Sequence, residues 1–402
     1  MVSTVQKNKT RKPPRNGTQS RNSFMNPPAA ESNVIEAEPE PAIEVVALNK
    51  VVKSVSSIDI GNDNAVIVFG PKPKDVLSIP SVTAEFSEGC QPISYTDGTG
   101  ATLRVNGKTL MTGRAALESS QDSVRTSTAS FSLKPINALF FHLSWVTAHH
   151  PDAAEIHSYV TTQAQNENMK EEMAAALNGR HEVEVLSSRN GEVVVRRVTV
   201  VVTVLRVMGE GAAALIASRT LEKGTVEGKT LAIDIGAGTM IGLAVNGSET
   251  LLTPEVGEDQ GVIALVEAIR RAPELQKKLK IAVPAQYQLV VNGLVDGSFS
   301  YWTAQGSVSF QSEYKDLLIP SLGDPLVRFV SYCLSLIPEG RIDKLLLLSG
   351  GAKLPGLLEY VASKFPGLKA GASSLGSRGN ATGLYLLAMA IFKEMEGASS
   401  RG

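Results

Sequence analysis

Two segments of this chain carry residues whose type and spacing could grip a polyphosphate. Residues 56–70 read SSIDIGNDNAVIVFG and residues 231–245 read LAIDIGAGTMIGLAV, so Asp59 aligns with Asp234 and Gly61 with Gly236, 175 residues apart. A phosphate chain is polyanionic and usually carries a divalent cation. A site for it needs backbone N–H groups in a tight turn, and carboxylates to hold the metal or its waters. Gly61, Gly236 and Gly238 would let backbone approach phosphate with no Cβ in the way. Asp59 and Asp234 fall at strand ends just before the turns, where a carboxylate could reach metal-bound water. In the second loop Thr239 offers a hydroxyl and Ala237 its backbone; in the first, Asn62 and Asn64 offer amide hydrogens. Either loop alone also reads as an ordinary hairpin that uses Asp and Gly as turn formers. Two of them at domain spacing suggest two related halves facing each other.

Three further segments fit a nucleotide site. Glu210 follows a long apolar strand and precedes a run of alanines. A carboxylate there could orient an attacking water for phosphoryl transfer, a reaction that depends on positioning and charge stabilisation. It is equally an acid favoured at a helix N-terminus. Gly350 and Gly351 follow a strand that starts at Leu345; they could border a base or ribose, or simply turn the strand into a helix. Residues 379–383, GNATG, open the last helix with small residues that would let two domains pack closely at a hinge.

The elements that must position these residues follow from periodicity and turn chemistry. A strand, turn and strand are expected over 54–70, in a folded region that begins near Val51, and again over 229–247. Two hairpin-like pieces are expected at 76–86 and 102–113, the second turning at Asn106-Gly107. Helices are expected over 135–149, with Ile136, Leu139, Phe140 and Leu143 on one face, and over 167–177, stopping at Asn178-Gly179. Strands at 182–186 and 193–207 follow, the second mostly apolar, as a buried central strand would be. A small-residue helix comes after Met208. Another helix, over 258–271, would carry acids in its first turn and arginines in its last. Strand LLLLSGG, helix PGLLEYVASKF and the run GNATGLYLLAMAIFKEM complete the pattern.

Composition narrows the function classes. The chain has 402 residues, enough for two to three domains, with a formal net charge of -1. That balance gives no global pull toward nucleic acid or anionic lipid. Cys90 and Cys333 stand far apart, which gives neither a disulfide framework nor a zinc site and fits a reducing cytoplasm. No membrane span is expected: the most apolar stretch, 193–208, is broken by Arg196, Arg197 and Arg206. The first 50 residues stand apart. Six basic and no acidic residues occupy positions 1–25, and glutamates then appear among prolines and alanines. Such a segment buries too little apolar surface to offset its chain entropy and is read as a disordered arm. It serves as a solvating tail or as a basic contact to DNA or a partner.

In order and spacing, DIGNDN, GEGAAA, DIGAGT, LLLLSGGAKLPG and GNATGLYLLA resemble the pattern of the actin superfamily, which includes actin, sugar kinases and heat-shock ATPases. The resemblance covers residues 55 to 395. It is nearest to the ParM/StbA-type actin-like ATPases of plasmid segregation and their archaeal relatives. Asn106-Gly107-Lys108 with Gly113 is similar to a hairpin of that group, and Asn380-Ala381-Thr382-Gly383-Leu384-Tyr385 to its final segment. The resemblance implies an α/β fold of two related actin-like (ribonuclease H-like) domains flanking a nucleotide cleft. The arm would span 1–50, the first domain 51–228, the second 229–376, and a C-terminal helix, 377–402, would pack back on the first. Asp59 and Asp234 would hold magnesium and its waters, Glu210 would position the hydrolytic water, and Gly350 and Gly351 would border the adenosine. The ligand would be ATP or GTP with Mg2+. Hydrolysis would drive a cytoplasmic, prokaryotic filament of this chain, acting on plasmid DNA indirectly through a DNA-binding adaptor protein, with no membrane partner. The alternatives are an actin-fold adaptor or cytoskeletal protein with weak hydrolysis, and a small-molecule kinase of the same superfamily. The chain departs from the family at three points. Val66 stands where actin and ParM carry a phosphate-contacting lysine (MreB-type actins are aliphatic there), Asp63 adds a negative charge to the first loop, and Met240 and Ile241 replace Thr and Asp in the second. These departures place nucleotide binding ahead of fast turnover.

Overall fold

Valine, isoleucine, leucine and threonine crowd the segments that flank both Asp-x-Gly turns, and these segments fold as strands. The computed structural model describes residues 43–46, 49–61, 64–87, 89–119, 124–125, 133–223, 226, 228–258, 261–304, 306–337 and 342–399. In the first half, β1 (Ile43–Val46), β2 (Val51–Ile60), β3 (Asn64–Val68), β4 (Val76–Pro80), β5 (Val82–Glu85), β6 (Thr102–Val105), β7 (Lys108–Thr112), β8 (Val124–Arg125), β9 (Glu155–Ala164), β10 (Gly179–Arg189) and β11 (Glu192–Gly209) share one sheet. Helices α1 (Gly113–Glu118), α2 (Lys134–His149) and α3 (Glu167–Leu177) interrupt them, and α4 (Ala212–Leu221) leads onward. The second half holds β12 (Lys229–Ile235), β13 (Thr239–Asn246), β14 (Glu249–Glu258), α5 (Val262–Arg270), α6 (Pro273–Leu279) and α7 (Tyr287–Val295). It continues with the hairpin β15 (Ser300–Thr303) and β16 (Gly306–Ser309), then α8 (Gln311–Leu318), α9 (Asp324–Ser335), β17 (Lys344–Leu348), α10 (Leu357–Lys364), β18 (Lys369–Ala372) and α11 (Gly379–Ser399).

The repeat seen in the sequence is a repeat of topology. The first sheet contains the order β4-β3-β2-β9-β11 and the second sheet is β14-β13-β12-β17-β18. In each, the first three strands are antiparallel, and the last two run parallel to the strand that bears the aspartate. Asp59 faces Val66 across its hairpin just as Asp234 faces Ile241 across the other. The first sheet is then extended through β10, β6, β7, β5 and β8.

Strand side chains alternate between faces, and this period-2 rule decides where the aspartates point. Ile58, Ile156 and Val160 enter one core with Leu139, Phe140 and Leu143 of α2. On the opposite face Ser57 Oγ donates to the Ala381 carbonyl at 2.6 Å and Thr161 Oγ1 to the Leu384 carbonyl at 2.8 Å, so α11 packs there. In the second sheet Leu231, Ile233, Leu345 and Leu347 face the large second core. Ala232, Leu346 and Leu348 face Ala214 and Leu215 of α4. Asp59 and Asp234 share the faces of Ser57 and Ala232. Both aspartates therefore look into the layer formed by α4 and α11, which lie against each other. The Gly383 position is so close that an added Cβ would stand 2.5 Å from the Ala213 carbonyl carbon.

Several expectations need correction. The 76–86 stretch is no hairpin, because β4 pairs with β3 while β5 pairs with β7 and β8. A single residue, Ser81, separates the two strands, too few to reverse the chain. No helix begins at 258: β14 runs through Glu258, which pairs with Thr239, and α5 starts at Val262 with no acid in its first turn. The Val262 and Ile263 amides bond the Gly236 and Ala237 carbonyls, which fixes that start, and Pro273 opens α6. Strand β11 is central, but buried and half-exposed positions alternate only over Val198–Thr203, and Thr203–Gly209 has no buried residue. Within the compositionally distinct first 50 residues, 43–46 form a strand parallel to Val194–Arg197 of β11; residues 1–42, with the basic stretch, lie outside the described residues. Among the described residues one helical run, Gln311–Ser335, is long and apolar enough by length and composition alone to cross a membrane. Its apolar residues Tyr314, Leu318, Leu326, Phe329 and Val330 belong to the second core.

Candidate nucleotide site

Both loops close by the same bond. The Gly61 amide donates to the Asn64 carbonyl at 3.1 Å, and the Gly236 amide to the Thr239 carbonyl at 2.9 Å. A Cβ on Gly61 would sit 2.8 Å from that Asn64 oxygen, so only glycine closes the first turn. Ser81 Oγ donates to the Gly61 carbonyl at 2.7 Å and ties the link between β4 and β5 to the turn. Asn64 opens β3 with an exposed side chain; Asn62 and Asp63 lie outside the described residues. In the second loop Gly236, Ala237, Gly238 and Thr239 are half-buried. Gly261 is drawn so close beneath them that a Cβ there would stand 2.6 Å from the Ala237 carbonyl carbon and 2.7 Å from the Thr239 nitrogen.

Three carboxylates and one ammonium converge where the loops meet. Asp59 Oδ1 accepts from Gln163 Nε2 at 2.9 Å. Burial pushes the Asp59 carboxyl up to about 7; Lys134 opposes that rise, Glu210 and Asp234 add to it, and the Gln163 hydrogen bond offsets part. Asp234 is 4% exposed and accepts from Asn380 Nδ2 at 2.7 Å and from the Ser349 hydroxyl. Burial also raises its carboxyl, those two hydrogen bonds work against the rise, and Glu210 adds to it. Glu210 sits between the end of β11 and Gly211, with its amide on the Ala164 carbonyl at 3.2 Å. Its Oε1 accepts from Lys134 Nζ at 2.5 Å.

The glycines after β17 play two parts. Gly350 is exposed, and a Cβ there would meet Ser377 at an ordinary 3.6 Å. Gly351 is buried: a Cβ would stand 2.9 Å from the Ile235 carbonyl oxygen, so this glycine lets the turn pack on the strand that carries Asp234. The GNATG segment does more than pack closely. Asn380 Oδ1 accepts from the Ala214 amide in the first turn of α4 at 3.0 Å while its Nδ2 holds Asp234, so one side chain joins α4, α11 and β12.

Lys134, Gln163 and Ser349 are site residues that sequence reasoning did not single out. Lys134 and Gln163 sit in no recognisable motif; Ser349 betrays itself only by its backbone, φ 65°, a conformation L-residues rarely adopt. Among the described residues no three His, Cys, Asp or Glu side chains lie close enough to hold a metal directly. Yet the site fits a cation held through its waters. Gln163 Oε1 is a buried acceptor with no partner beside Asp59, and hard divalent cations take oxygen donors of this kind.

Two sheets with the same five-strand order, each with an Asp-x-Gly turn facing two packed helices, define an actin-like fold of the ParM type. The fold is shared with actin-like protein Alp7A at a TM-score of 0.64 and 13% identity, over 88% of this chain and 100% of that chain. It is shared with Ta0583, an archaeal actin homolog, at a TM-score of 0.59 and 19% identity, over 84% of this chain and 99% of that one. The structure of Bacillus thuringiensis ParM with ATP aligns at a TM-score of 0.55 and 14% identity, over 84% of this chain and 98% of that one. No protein family matches the chain by sequence, and no curated protein does.

Proposed function

We propose that this chain is an actin-like nucleoside triphosphatase that assembles into filaments with ATP and magnesium. The observation that carries the reading is the convergence of Asp59, Asp234 and Glu210, from both repeat halves, between two identically closed glycine turns. A relative of the same fold, Bacillus thuringiensis ParM, has a structure with ATP. In this reading the Gly61, Gly236 and Gly238 backbones and the Thr239 hydroxyl receive the phosphates, and Gly350 borders the nucleoside. Asp59, Asp234 and Gln163 would hold a magnesium ion through its waters, and that ion would offset the charge gathered by phosphates and carboxylates. Asn380 and Ser349 keep Asp234 aimed at the cleft. Glu210 accepts a hydrogen bond from the attacking water and orients it, so the chain contributes positioning and fixed charge rather than covalent chemistry.

Filament assembly by self-association, and movement of plasmid DNA through an adaptor, extend this reading on the strength of the motif order. A slower nucleotide-binding adaptor is favoured by one observation: Lys134 holds one oxygen of Glu210 and opposes its charge, which weakens the carboxylate as an acceptor for the attacking water. The two readings separate in a single assay. Phosphate release and light scattering are followed together in ATP and Mg2+ as protein concentration rises. Hydrolysis that accelerates above a critical concentration, with polymer, supports the filament; no polymer at any concentration removes it. ATP consumption that depends on an added sugar or acetate would point to a small-molecule kinase instead.

A further inference from the structure

Any polyanion entering this cleft meets three carboxylates, and neither loop offers a basic side chain against them. Val66, opposite Asp59 in the first hairpin, is buried among Val68, Ala381, Val76 and Tyr385. Lys134 instead comes from the first residue of α2, on the far side of Asp59 in sequence, with its side chain 10% exposed and its Glu210 partner 14%. Desolvating such a pair costs about as much as its Coulomb attraction returns, so its position in the site is better explained by function than by stability. An ammonium has three donors and no lone pair, and Glu210 takes one of them. Asp59 also feels this charge more strongly than any other nearby.

We infer that Lys134 is the ligand for the terminal phosphate of the bound triphosphate, and that its charge, drawn from Glu210 toward that phosphate, leaves the Glu210 carboxylate a stronger acceptor for the attacking water. This rests on the nucleotide reading above. One positive charge is then shared between two acceptors. Without a terminal phosphate it acts on Glu210 alone, and with one it is divided between them. Lys134 thus makes triphosphate recognition the event that arms hydrolysis.

Competition for one ammonium gives a signed test. Affinities for a non-hydrolysable ATP analogue and for ADP, each with Mg2+, are measured by equilibrium binding below any assembly concentration. Glu210→Gln removes the competitor and is expected to tighten the triphosphate several-fold while leaving ADP unchanged. Lys134→Met/Glu210→Gln removes both members of the ion pair together, and because Asp59 also loses the Lys134 charge a thermal melt checks that it folds. Relative to Glu210→Gln it is expected to weaken the triphosphate about tenfold or more, the loss of a charge-assisted hydrogen bond, and ADP by far less. Lys134→Arg/Glu210→Gln should recover part of the preference. An unchanged triphosphate-to-diphosphate ratio between the double and single variants overturns the inference and leaves nucleotide binding intact. Equal losses for both nucleotides overturn it as well, placing Lys134 on the shared phosphates. A wild-type chain that binds neither ligand overturns the nucleotide reading itself.

Discussion

Gly383→Ala tests how closely the two connecting helices must approach for the site to exist. A Cβ at residue 383 would stand 2.5 Å from the Ala213 carbonyl carbon and 3.1 Å from its Cα. Non-bonded carbons prefer about 3.5–4.0 Å, so α11 must retreat from α4 by about 1 Å. That movement works against Asn380, which bridges the Ala214 amide at 3.0 Å and Asp234 at 2.7 Å. Overpacking costs about 1–3 kcal/mol. Each weakened hydrogen bond adds about 1 kcal/mol, whereas alanine in a helix interior returns about 1 kcal/mol over glycine. The net is a loss of about 2–4 kcal/mol, read as a lower midpoint in equilibrium urea unfolding with an unchanged slope. Gly397→Ala in the same helix is the control: its Cβ would meet nothing within 4 Å, so only the propensity gain, up to about 1 kcal/mol, is expected. Nucleotide affinity should fall with Gly383→Ala and stay constant with Gly397→Ala. A Gly383→Ala protein as stable as the parent would refute the claim that helix contact sets the geometry of Asp234.

Asp59→Asn keeps the acceptor for Gln163 and removes a carboxylate that burial, Glu210 and Asp234 disfavour and Lys134 favours. The folded group ionises near 7 against 3.8 when unperturbed, so the folded protein holds the extra proton between those values and its stability falls as pH rises through that window. Discounted for relaxation around the buried group, the variant should gain about 2–4 kcal/mol at pH 8 and almost nothing near pH 4; a pH-independent difference in urea midpoints would show the carboxylate is not strained. Asp234→Ala should abolish magnesium-dependent phosphate release, and wild-type turnover in that variant would remove Asp234 from the metal assignment. Asn380→Leu leaves the Ala214 amide without a partner and Asp234 with the Ser349 hydroxyl alone, and should cost about 2–4 kcal/mol in thermal or urea unfolding.

The sequence by itself determined the repeat. Asp59 and Asp234 at equal offsets from their glycines mark equivalent turns, because a tight turn after a strand demands local chemistry that neighbouring residues supply. Helices α2 and α3 were legible for the same reason, through apolar spacing and the Asn178-Gly179 stop. The end of the strand at 249–258 was not, since Glu258 resembles a helix start until Thr239 pairs with it across the sheet. Only the tertiary structure decided what surrounds the aspartates. Lys134 reaches Glu210 across 76 residues of chain, Gln163 reaches Asp59 across 104, and Asn380 reaches Asp234 across 146. No local pattern records such partners. They are set by which strand lies beside which, by the period-2 alternation that turns both aspartates toward α4 and α11, and by a glycine that lets those helices touch.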